Sequence, residues 1–342
     1  MNPAMHAVVV ARYGGALEVM ERPIPRPAAG EVLIRVRASG LCSTDLHLLS
    51  GRMPLGDLPR ILGHESAGDI VELGEGVTGW KAGDRVTVAV DVVCGTCRHC
   101  LAGQTQRCTS MQRIGFERDG GHAGYIAVPA ANLIGLPSTL GYDAAAILPD
   151  AVACMYHSLM GQGKVDAGQK VLILGAGGLG IHGVQIARLA GAGVMATSRR
   201  PERLKVAGQY GAIPVNTMTQ SLKEAVNGFT GGEGMDVVVD NIGTRTSVRE
   251  GLSLLRPGGK LLVVAYLDDT FEVPSIPLFK TEQEIIGCRG SSKQDLEEVV
   301  RLTGSGKLTS VIGAYYPLDQ IESAVERLQG GDLVGRIVLT RE

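Results

Sequence analysis

The sequence has no excess of basic residues, since 33 Lys and Arg stand against 35 Asp and Glu, for a formal net charge of −2. A surface that binds nucleic acid needs such an excess, so we expect no nucleic-acid partner. The sequence also lacks any apolar run near the ~20 residues that a membrane-spanning helix requires, so we expect no membrane partner. The first fifteen residues lack the charged region and long apolar core of a signal peptide. Together these absences predict a cytoplasmic protein.

Cysteines are few and their number is odd. Seven occur, and four of them lie within the fifteen residues from 94 to 108. This pattern does not resemble a secreted disulfide framework, and in a cytoplasmic enzyme it is typical of metal binding. Glycine, by contrast, is abundant, with 48 residues in 342. That number favours a fold with many tight turns and close backbone approaches.

The length of 342 residues suggests two domains. In the first third, short apolar stretches broken by Gly and Pro predict a β-barrel-like unit, with strands near residues 6–11, 31–38, 67–73 and 85–90. From residue 150 onward, strands and helices alternate, which predicts a doubly wound parallel sheet. The strands expected there are 170–174, 193–198, 235–240, 260–265 and 284–288. The helices expected there are 150–160, 180–190, 202–210 and 246–255, and a closing strand is expected at 335–340.

A glycine-rich turn follows the strand at 170–174 and opens the next helix. It reads Gly175-Ala-Gly177-Gly178-Leu179-Gly180. The first glycine permits a tight turn, the second lets the backbone approach a pyrophosphate, and the last allows close helix–strand packing. The helix N-terminus adds free N–H donors for phosphate. An empty turn is the alternative, but the strand before it and the helix after it favour a dinucleotide site.

The end of the next strand bears on the choice of cofactor. An NAD site uses an acidic residue about 20 residues after the glycines, whereas this chain has Ser198-Arg199-Arg200. Guanidinium groups bind phosphate through two parallel hydrogen bonds, and the serine hydroxyl can add another. We therefore predict NADP, with NAD as the alternative. The other interpretation of the two arginines is that they cap a surface turn.

The four clustered cysteines follow the spacing Cys94-x2-Cys97-x2-Cys100-x7-Cys108. Four thiolates with no open position are typical of a closed, tetrahedral, structural zinc site. An iron–sulfur cluster of the ferredoxin type usually ends in Cys-Pro, but Thr109 follows here. A DNA-reading zinc finger would need a basic recognition helix, which is lacking. The prediction is a structural zinc.

Two more segments carry zinc-type ligands, Gly40-Leu-Cys42-Ser-Thr44-Asp45-Leu-His47 and Gly63-His64-Glu65-Ser-Ala-Gly68. A catalytic zinc site needs three protein ligands and one open position. In their order along the chain, these segments, the four-cysteine lobe and the glycine turn resemble the zinc-dependent medium-chain alcohol dehydrogenases over essentially the whole length. The resemblance implies a GroES-like catalytic domain at 1–151, with the zinc lobe at 94–108. It also implies an inserted Rossmann domain at 152–290 and a return to the catalytic domain at 291–342.

The resemblance implies that Cys42 and His64 bind the catalytic zinc. The third ligand of the family stands at the start of the helix that enters the cofactor domain, where this chain has Asp150. Cys154 lies one helical turn further on and is the rival for that place. Glu65 is implied as an occasional fourth ligand or a close neighbour of the metal.

The resemblance also assigns supporting roles. Asp45 would bond the other ring nitrogen of His64, as a carboxylate usually does for a metal-bound histidine. Thr44 would take the proton of the alcohol, and His47 would pass it to solvent. Arg336 matches a position that reaches the cofactor pyrophosphate, and Tyr266 would line the nicotinamide end of the cleft.

The implied reaction is hydride transfer between a nicotinamide and a primary or secondary alcohol, or its aldehyde or ketone, with zinc as Lewis acid. By resemblance Met53, Val90, Ile114 and Tyr266 lie near the substrate, and these mostly apolar side chains favour a hydrophobic alcohol over a polyol. The predicted cofactors are a catalytic zinc, a structural zinc and NADP, in a homo-oligomer that is a tetramer or a dimer. Two alternatives stay open, a zinc-free quinone or enoyl reductase of the same superfamily and a non-catalytic dinucleotide-binding protein.

Overall fold

The computed structural model describes residues 3–265, 267 and 269–341. In it the chain falls into two units, one of Met1–Ala153 with Ser291–Glu342 and one of Cys154–Gly290. We call them unit 1 and unit 2. The sequence-based bounds place the first junction two residues earlier, and the functional roles of these stretches stay predictions. No helix among the described residues is both long enough and apolar enough to cross a membrane.

The strands are numbered along the chain. They are β1 (Ala4–Val10), β2 (Glu18–Pro23), β3 (Glu31–Leu41), β4 (Arg60–Ile61), β5 (Glu65–Leu73), β6 (Arg85–Val88), β7 (Asp91–Val92), β8 (Gln112–Arg113), β9 (Tyr125–Pro129), β10 (Leu133–Gly135), β11 (Lys170–Leu174), β12 (Gly193–Ser198), β13 (Ile213–Asn216), β14 (Met235–Asp240), β15 (Leu255–Val263), β16 (Glu284–Gly287), β17 (Ile312–Pro317) and β18 (Arg336–Thr340).

The α-helices are numbered in the same way. They are α1 (Ser43–Leu49), α2 (Arg98–Leu101), α3 (Tyr142–Ala146), α4 (Ala153–Tyr156), α5 (Gly180–Leu189), α6 (Pro201–Gln209), α7 (Leu222–Thr230), α8 (Arg245–Ser253), α9 (Ser275–Thr281), α10 (Lys293–Gly304) and α11 (Ile321–Gly330). Two π-helical stretches, Leu148–Val152 and His157–Gly163, flank α4, and short 3-10 turns are found at Thr105–Arg107, Ala130–Asn132 and Leu318–Gln320.

Unit 1 is built from β-sheets, as its short alternating apolar stretches predict. Its largest sheet has the order β10-β6-β5-β3-β18-β17, with β9 also paired to β3, and smaller sheets join β2-β1-β4 and β7-β8. All these pairs are antiparallel except β17 with β18. Alternate residues of the strands, among them Val32, Ile34, Ile70 and Val86, meet in a buried apolar core. This arrangement confirms that the unit is β-rich.

Unit 2 contains a six-stranded sheet in the order β13-β12-β11-β14-β15-β16, and every neighbouring pair is parallel. This is the doubly wound order of a Rossmann domain, so the predicted parallel sheet is confirmed. One strand differs from its prediction, because β15 begins at Leu255 rather than at residue 260. Leu255 already pairs with Met235 across an irregular register, and the Pro-Gly-Gly that follows suggests a loop when only the sequence is considered.

The helix predicted at residues 150–160 begins at Leu148 and is π-helical on both sides of α4. Lys164 ends it in the left-handed conformation, with φ of 54°. Wide π turns are rare and often mark functional sites, because they shift the side chains of one turn relative to a regular helix. Asp150 lies in the first of them.

The registers of the large sheet in unit 1 bring three chain segments to one place. The end of β3 pairs with the beginning of β5, with Gly40 opposite Glu65. The same end of β3 pairs with the beginning of β18, with Leu41 opposite Ile337. Residues just beyond or at these three strand ends therefore lie side by side.

Candidate metal centre and dinucleotide site

Cys42, His64 and Asp150 come together in unit 1. Cys42 follows β3 and precedes the first turn of α1, His64 directly precedes β5, and Asp150 lies in the π-helical turn. Their ligand atoms all lie within 4.8 Å of one another. Asp150 Oδ2 is 3.5 Å from Cys42 Sγ and 3.7 Å from His64 Nε2. Residues that are 108 positions apart in the chain thus share one small, largely buried site.

These distances can be compared with those of a tetrahedral zinc site. Zinc–ligand bonds of about 2.0–2.3 Å place a thiolate and a carboxylate oxygen about 3.6 Å apart, and an imidazole nitrogen and a carboxylate oxygen about 3.4 Å apart. The donor set of one thiolate, one imidazole and one carboxylate therefore fits zinc. Among the described residues, only two groups of His, Cys, Asp or Glu have metal-site spacing, and Cys154 belongs to neither.

Asp45 supports this site from α1. Its Oδ2 accepts the backbone N–H of Cys42 at 2.9 Å, and its Oδ1 lies 3.5 Å from His64 Nδ1. Burial alone would raise the pKa of Asp45, but the imidazoles of His64 and His122 beside it hold that pKa far below its usual value. Burial opposes protonation of His64, yet the neighbouring carboxylates raise its pKa. Asp45 Oδ1 therefore faces the ring nitrogen of His64 that the resemblance implied, at 3.5 Å, and the bond between them stays a prediction.

Arg336 lies in the same centre, at the beginning of β18. It is buried, with its Nε 3.0 Å from Glu65 Oε1 and its Nη2 2.5 Å from Asp150 Oδ2. Burial and the charge of Asp150 raise the pKa of Glu65 to about 8, although Arg336 acts in the opposite direction. The structure assigns Arg336 to these two carboxylates, a role that the sequence did not suggest, while its pyrophosphate contact stays a prediction. Gly40 leaves the room that Glu65 occupies, because a Cβ there would lie 1.8 Å from Glu65 Oε2.

Thr44 and His47 lie one turn apart on α1, each half-buried, so they share a face of that helix. Burial and the cationic side chain of Arg52 lower the pKa of His47. A neutral imidazole can accept a proton, which suits the relay role that the resemblance implied. That role stays a prediction.

The residues expected near the substrate separate into two groups. Met53 and Val90 pack, partly buried, against an apolar cluster that includes Phe116. Ile114 is 1% exposed and packs in the core of the large sheet, so its side chain is enclosed by protein, and its place near the substrate stays a prediction. The sequence did not single out Phe116, whose ring centroid lies 5.4 Å from that of His64. Tyr266 lies outside the described residues.

The four cysteines of the lobe also converge. Their sulfur atoms lie 3.5 Å apart for Cys94 and Cys108, 3.6 Å for Cys97 and Cys100, and 3.9 Å for Cys94 and Cys100. Four sulfurs at 2.3 Å from one zinc ion would be about 3.8 Å apart. Hydrogen bonds from backbone N–H groups lower the pKa of Cys97 to about 5, whereas burial and the neighbouring sulfurs raise the pKa of Cys100 to about 12. The set fits a closed zinc site.

The glycine-rich turn in unit 2 has the backbone that the fingerprint requires. Gly175 has a φ of 88°, and its N–H donates to Thr197 Oγ1 at 3.1 Å. A Cβ on Gly180 would lie 2.1 Å from the carbonyl oxygen of Gly175, so only glycine allows this close helix–strand approach. A Cβ on Gly177 would meet only Arg203 Nη1, at 3.7 Å. The turn is therefore tight at its ends and open in the middle, where Gly178 and Leu179 are half-buried.

The residues after β12 present cations beside this turn. Arg199 and Arg200 are exposed, and the hydroxyl of buried Ser198 accepts the backbone N–H of Arg200 at 3.0 Å. Arg203, in the first turn of α6, extends its guanidinium to the neighbourhood of Gly177. The sequence pattern did not single it out, because only the geometry of the helix directs it back to the glycines.

Asn241 follows β14 and lies against the same turn. Its Cβ is 3.8 Å from the position that a Cβ of Gly175 would take, and its backbone N–H donates to Leu174 O at 3.1 Å. Both polar atoms of its side chain are buried and have no hydrogen-bond partner among the described residues. A buried amide without partners costs free energy, so this position indicates a place where a ligand is to be bound.

Comparison with known proteins agrees with this geometry. Two family models match, the alcohol dehydrogenase GroES-like domain over residues 28–138 and the zinc-binding dehydrogenase over residues 178–305. An alcohol dehydrogenase of Geobacillus stearothermophilus is 33% identical over 98% of this chain and 99% of its own length. An acryloyl-coenzyme A reductase of Metallosphaera sedula is also 33% identical, over 98% of this chain and 100% of its own. The crystal structure of an NAD-dependent alcohol dehydrogenase has a TM-score of 0.93 at 31% identity, covering 98% of this chain and 100% of that one.

The chain therefore belongs to the zinc-type, medium-chain alcohol dehydrogenases. It is an enzyme, an oxidoreductase that combines a GroES-like domain with a Rossmann-type domain. The predicted family, fold and class of activity are confirmed.

Proposed function

We propose that this enzyme interconverts a primary or secondary alcohol and its aldehyde or ketone, with NADP as cofactor and with zinc held by Cys42, His64 and Asp150. The observation that carries the proposal is the convergence of one thiolate, one imidazole and one carboxylate within 4.8 Å in unit 1. This donor set is the type that catalytic zinc sites use, with three protein ligands and one position for substrate.

Zinc bound there would supply Lewis acidity toward the substrate oxygen, and a bound nicotinamide would accept or donate the hydride. The chain's own residues handle the proton and the geometry. Thr44 accepts the hydroxyl proton of the alcohol and His47 carries it toward solvent, helped by a pKa that burial and Arg52 lower. Asp45 fixes the ring of His64, and Arg336 fixes the carboxylates of Glu65 and Asp150.

The proposal of NADP rests on unit 2. Two exposed guanidinium groups, of Arg199 and Arg200, directly follow β12, and no carboxylate stands at Ser198 where an NAD site would use one. Arg203 adds a third cation near Gly177. Gly175, Gly177, Gly178, Leu179 and Gly180 are proposed to bind the pyrophosphate through backbone N–H groups, and Asn241 to bond the dinucleotide beside them. Tyr266 and Arg336 keep their proposed cofactor contacts.

We further propose a second, structural zinc in the lobe, held by Cys94, Cys97, Cys100 and Cys108. Its support is the sulfur–sulfur spacing of 3.5–3.9 Å. Assembly as a dimer or tetramer is also proposed. It is supported by α9, where the large apolar side chains of Ile276 and Phe279 are 66% and 84% exposed in unit 2. A cytoplasmic location fits the absence of a disulfide among the cysteines of the described residues.

Reduction of an activated carbon–carbon double bond is the second candidate. It is favoured by the relative named as an acryloyl-coenzyme A reductase, which is as similar to this chain as the alcohol dehydrogenase is. Retention of Cys42, His64 and Asp150 argues for the alcohol reaction, because hydride addition to an enoyl thioester does not itself require a metal at these positions.

The test is a substrate panel run with metal analysis. The purified enzyme is assayed with hydrophobic alcohols, the matching aldehydes and ketones, a polyol and an enoyl-coenzyme A, each with NADP(H) and NAD(H). We expect two zinc ions per chain, alcohol oxidation, and a higher kcat/KM with NADP. One zinc ion with enoyl reduction alone would favour the second candidate, and inactivity with both sites full would leave a binding protein.

A further inference from the structure

His122 is a buried side chain in unit 1 that the proposed mechanism does not use. It is 0% exposed and lies in the loop before β9. Its backbone N–H donates to Leu62 O at 2.9 Å, and its carbonyl accepts from Val8 at 2.8 Å. Its neighbour Gly121 donates to Gly63 O at 2.7 Å. The backbone of His122 is therefore tied to the short segment that leads into His64.

Gly63 shows how closely the two histidines are packed. It has a φ of 99°, and a Cβ there would lie 2.5 Å from His122 N and 2.6 Å from His122 Nδ1. Any other residue at this position would need a strained backbone and a displaced imidazole. His122 therefore leaves no room for a side chain at Gly63, the residue before the proposed zinc ligand His64.

The imidazole of His122 reaches two polar groups. Its Nδ1 lies 2.7 Å from Ser39 Oγ, and its Nε2 lies 3.6 Å from Asp45 Oδ2. The other carboxylate oxygen, Asp45 Oδ1, faces His64 Nδ1 at 3.5 Å. Asp45 therefore stands between two imidazoles, one of which belongs to the metal centre.

The donor and acceptor roles follow from the atoms involved. An ionised carboxylate only accepts hydrogen bonds, so of the two tautomers of His122 the one with hydrogen on Nε2 is favoured by the charge of Asp45, which lies 3.6 Å away and is beyond hydrogen-bond length. Ser39 Oγ can donate to His122 Nδ1 or to the carbonyl of Glu65, which lies 2.9 Å away. Asp45 has one hydrogen bond, from the backbone N–H of Cys42, and an imidazole packed against each of its oxygens, His64 at 3.5 Å and His122 at 3.6 Å. Removing the imidazole that packs against one oxygen of a completely buried carboxylate would let the carboxylate turn or draw in water.

We propose that His122 is a positioning residue of the metal centre, which fixes Asp45 and, through it, the direction in which His64 presents Nε2 to zinc. The inference rests on the proposed zinc site at Cys42, His64 and Asp150. Because His122 acts through Asp45, its removal loosens the metal of this site and leaves the four-cysteine lobe unaffected.

The test compares two polar substitutions of similar size in the zinc-loaded enzyme. In His122→Gln the side-chain nitrogen takes the place of Nε2 and can still reach Asp45. In His122→Asn the nitrogen takes the place of Nδ1 and reaches only Ser39. Zinc release to a coloured chelator is followed over time, and the zinc of the lobe is the internal control.

We expect His122→Asn to release one of its two zinc ions about 10-fold faster than the parent enzyme, at the lower end of the effect of outer-shell partners. His122→Gln should stay within about threefold of the parent rate, since it restores the contact. Equal rates in both variants, or faster loss from both zinc sites alike, would overturn the inference. If His122→Asn does not fold, Ser39→Ala removes the other contact of the imidazole, and an unchanged release rate there overturns it.

The outcome also separates this inference from the proposed function. If the parent enzyme releases a single zinc ion, and a variant of the four-cysteine lobe releases none, the site at Cys42 holds no metal. The proposed function then fails, and the positioning role of His122 fails with it. If the parent enzyme holds two zinc ions and the His122 variants release them at the parent rate, the proposed function stays intact and only the positioning role is overturned.

Discussion

Arg336 Nη2 lies 2.5 Å from Asp150 Oδ2 inside the metal centre. The two residues are 186 positions apart, and the side chain of Arg336 is only 6% exposed. The same guanidinium holds Glu65. A buried cation that bonds both acidic side chains offsets the cost of burying negative charge there. This relationship yields the first prediction.

Arg336→Met should destabilise the fold strongly. It leaves the buried carboxylate of Asp150 without its cation and the buried acid of Glu65 without its partner, and breaking a buried ion pair costs about 3–5 kcal/mol. The matched control is Arg301→Met, because Arg301 bonds Glu298 on the surface, where its side chain is 60% exposed. An exposed pair contributes about 0–1 kcal/mol. Urea unfolding of both variants measures the difference, and equal losses would contradict the role assigned to Arg336.

The zinc of the four-cysteine lobe should be dispensable for the reaction itself. Cys100→Ser removes one of four thiolates, so we expect zinc content to fall from two ions per chain to one, together with a lower Tm. The kcat of the enzyme that remains folded should change little, because the lobe supplies no residue of the proposed active site. Cys288→Ser, which alters a buried cysteine outside both metal groups, is the control for zinc content. Loss of both zinc ions in Cys100→Ser would show that the two sites are not independent.

Cofactor preference should depend on the cations after β12. Arg199→Ala and Arg200→Ala should each lower kcat/KM for NADP, with little change for NAD. Hydrogen bonds to charged groups contribute about 1.5–3 kcal/mol, so the NADP/NAD ratio should fall about 10- to 100-fold at the residue that bonds the phosphate. Arg249→Ala, an exposed arginine on α8 in the same unit, is the control. A parent enzyme that prefers NAD would refute the prediction before any variant is made.

Asn241 should lower the stability of the enzyme without cofactor and strengthen the binding of the dinucleotide. In Asn241→Leu the two unpartnered polar atoms are replaced by apolar ones, so the enzyme without cofactor should have a higher Tm. The same change removes hydrogen bonds to the dinucleotide, so we expect Kd to rise about 10-fold. Asn227→Leu, at an exposed position of α7, controls for the added apolar surface. A lower Tm with unchanged Kd would assign Asn241 a purely structural role.

The pH profile should respond to Arg52. Burial is the larger cause that lowers the pKa of His47, and the charge of Arg52 is the second. The neutral imidazole that accepts a proton therefore persists to lower pH than usual. Arg52→Gln removes a repelling cation, raises the pKa of His47, and should move the acidic limb of kcat/KM to higher pH. Arg26→Gln, exposed and in the same unit, should leave the limb in place. A limb that does not move, or that moves to lower pH, excludes His47 as the titrating group.

Much of the fold could be predicted because its signals are local. The apolar runs of β11, β12 and β14 and the glycines between β11 and α5 predict a Rossmann domain from neighbouring residues alone. Strand and helix ends are less local, and β15 extends farther than its sequence suggests because a partner strand completes its hydrogen bonds. The π-helical turns around α4 have no signature in the sequence at all.

The candidate site divides in the same way. The amino-acid sequence determined which chemistry is available, since Cys42, His64, the four clustered cysteines and the glycine turn stand in recognisable local patterns. Tertiary structure decided which groups meet. It placed Asp150, and not Cys154, beside the ligand atoms of Cys42 and His64. It also placed Ile114 in the apolar core of the large sheet. The physical reason is that antiparallel strand ends and a wide helical turn bring together residues distant in the chain, and the sequence records no such distances. For the same reason, the places of Arg336 and His122 around the carboxylates could be found only in the folded chain.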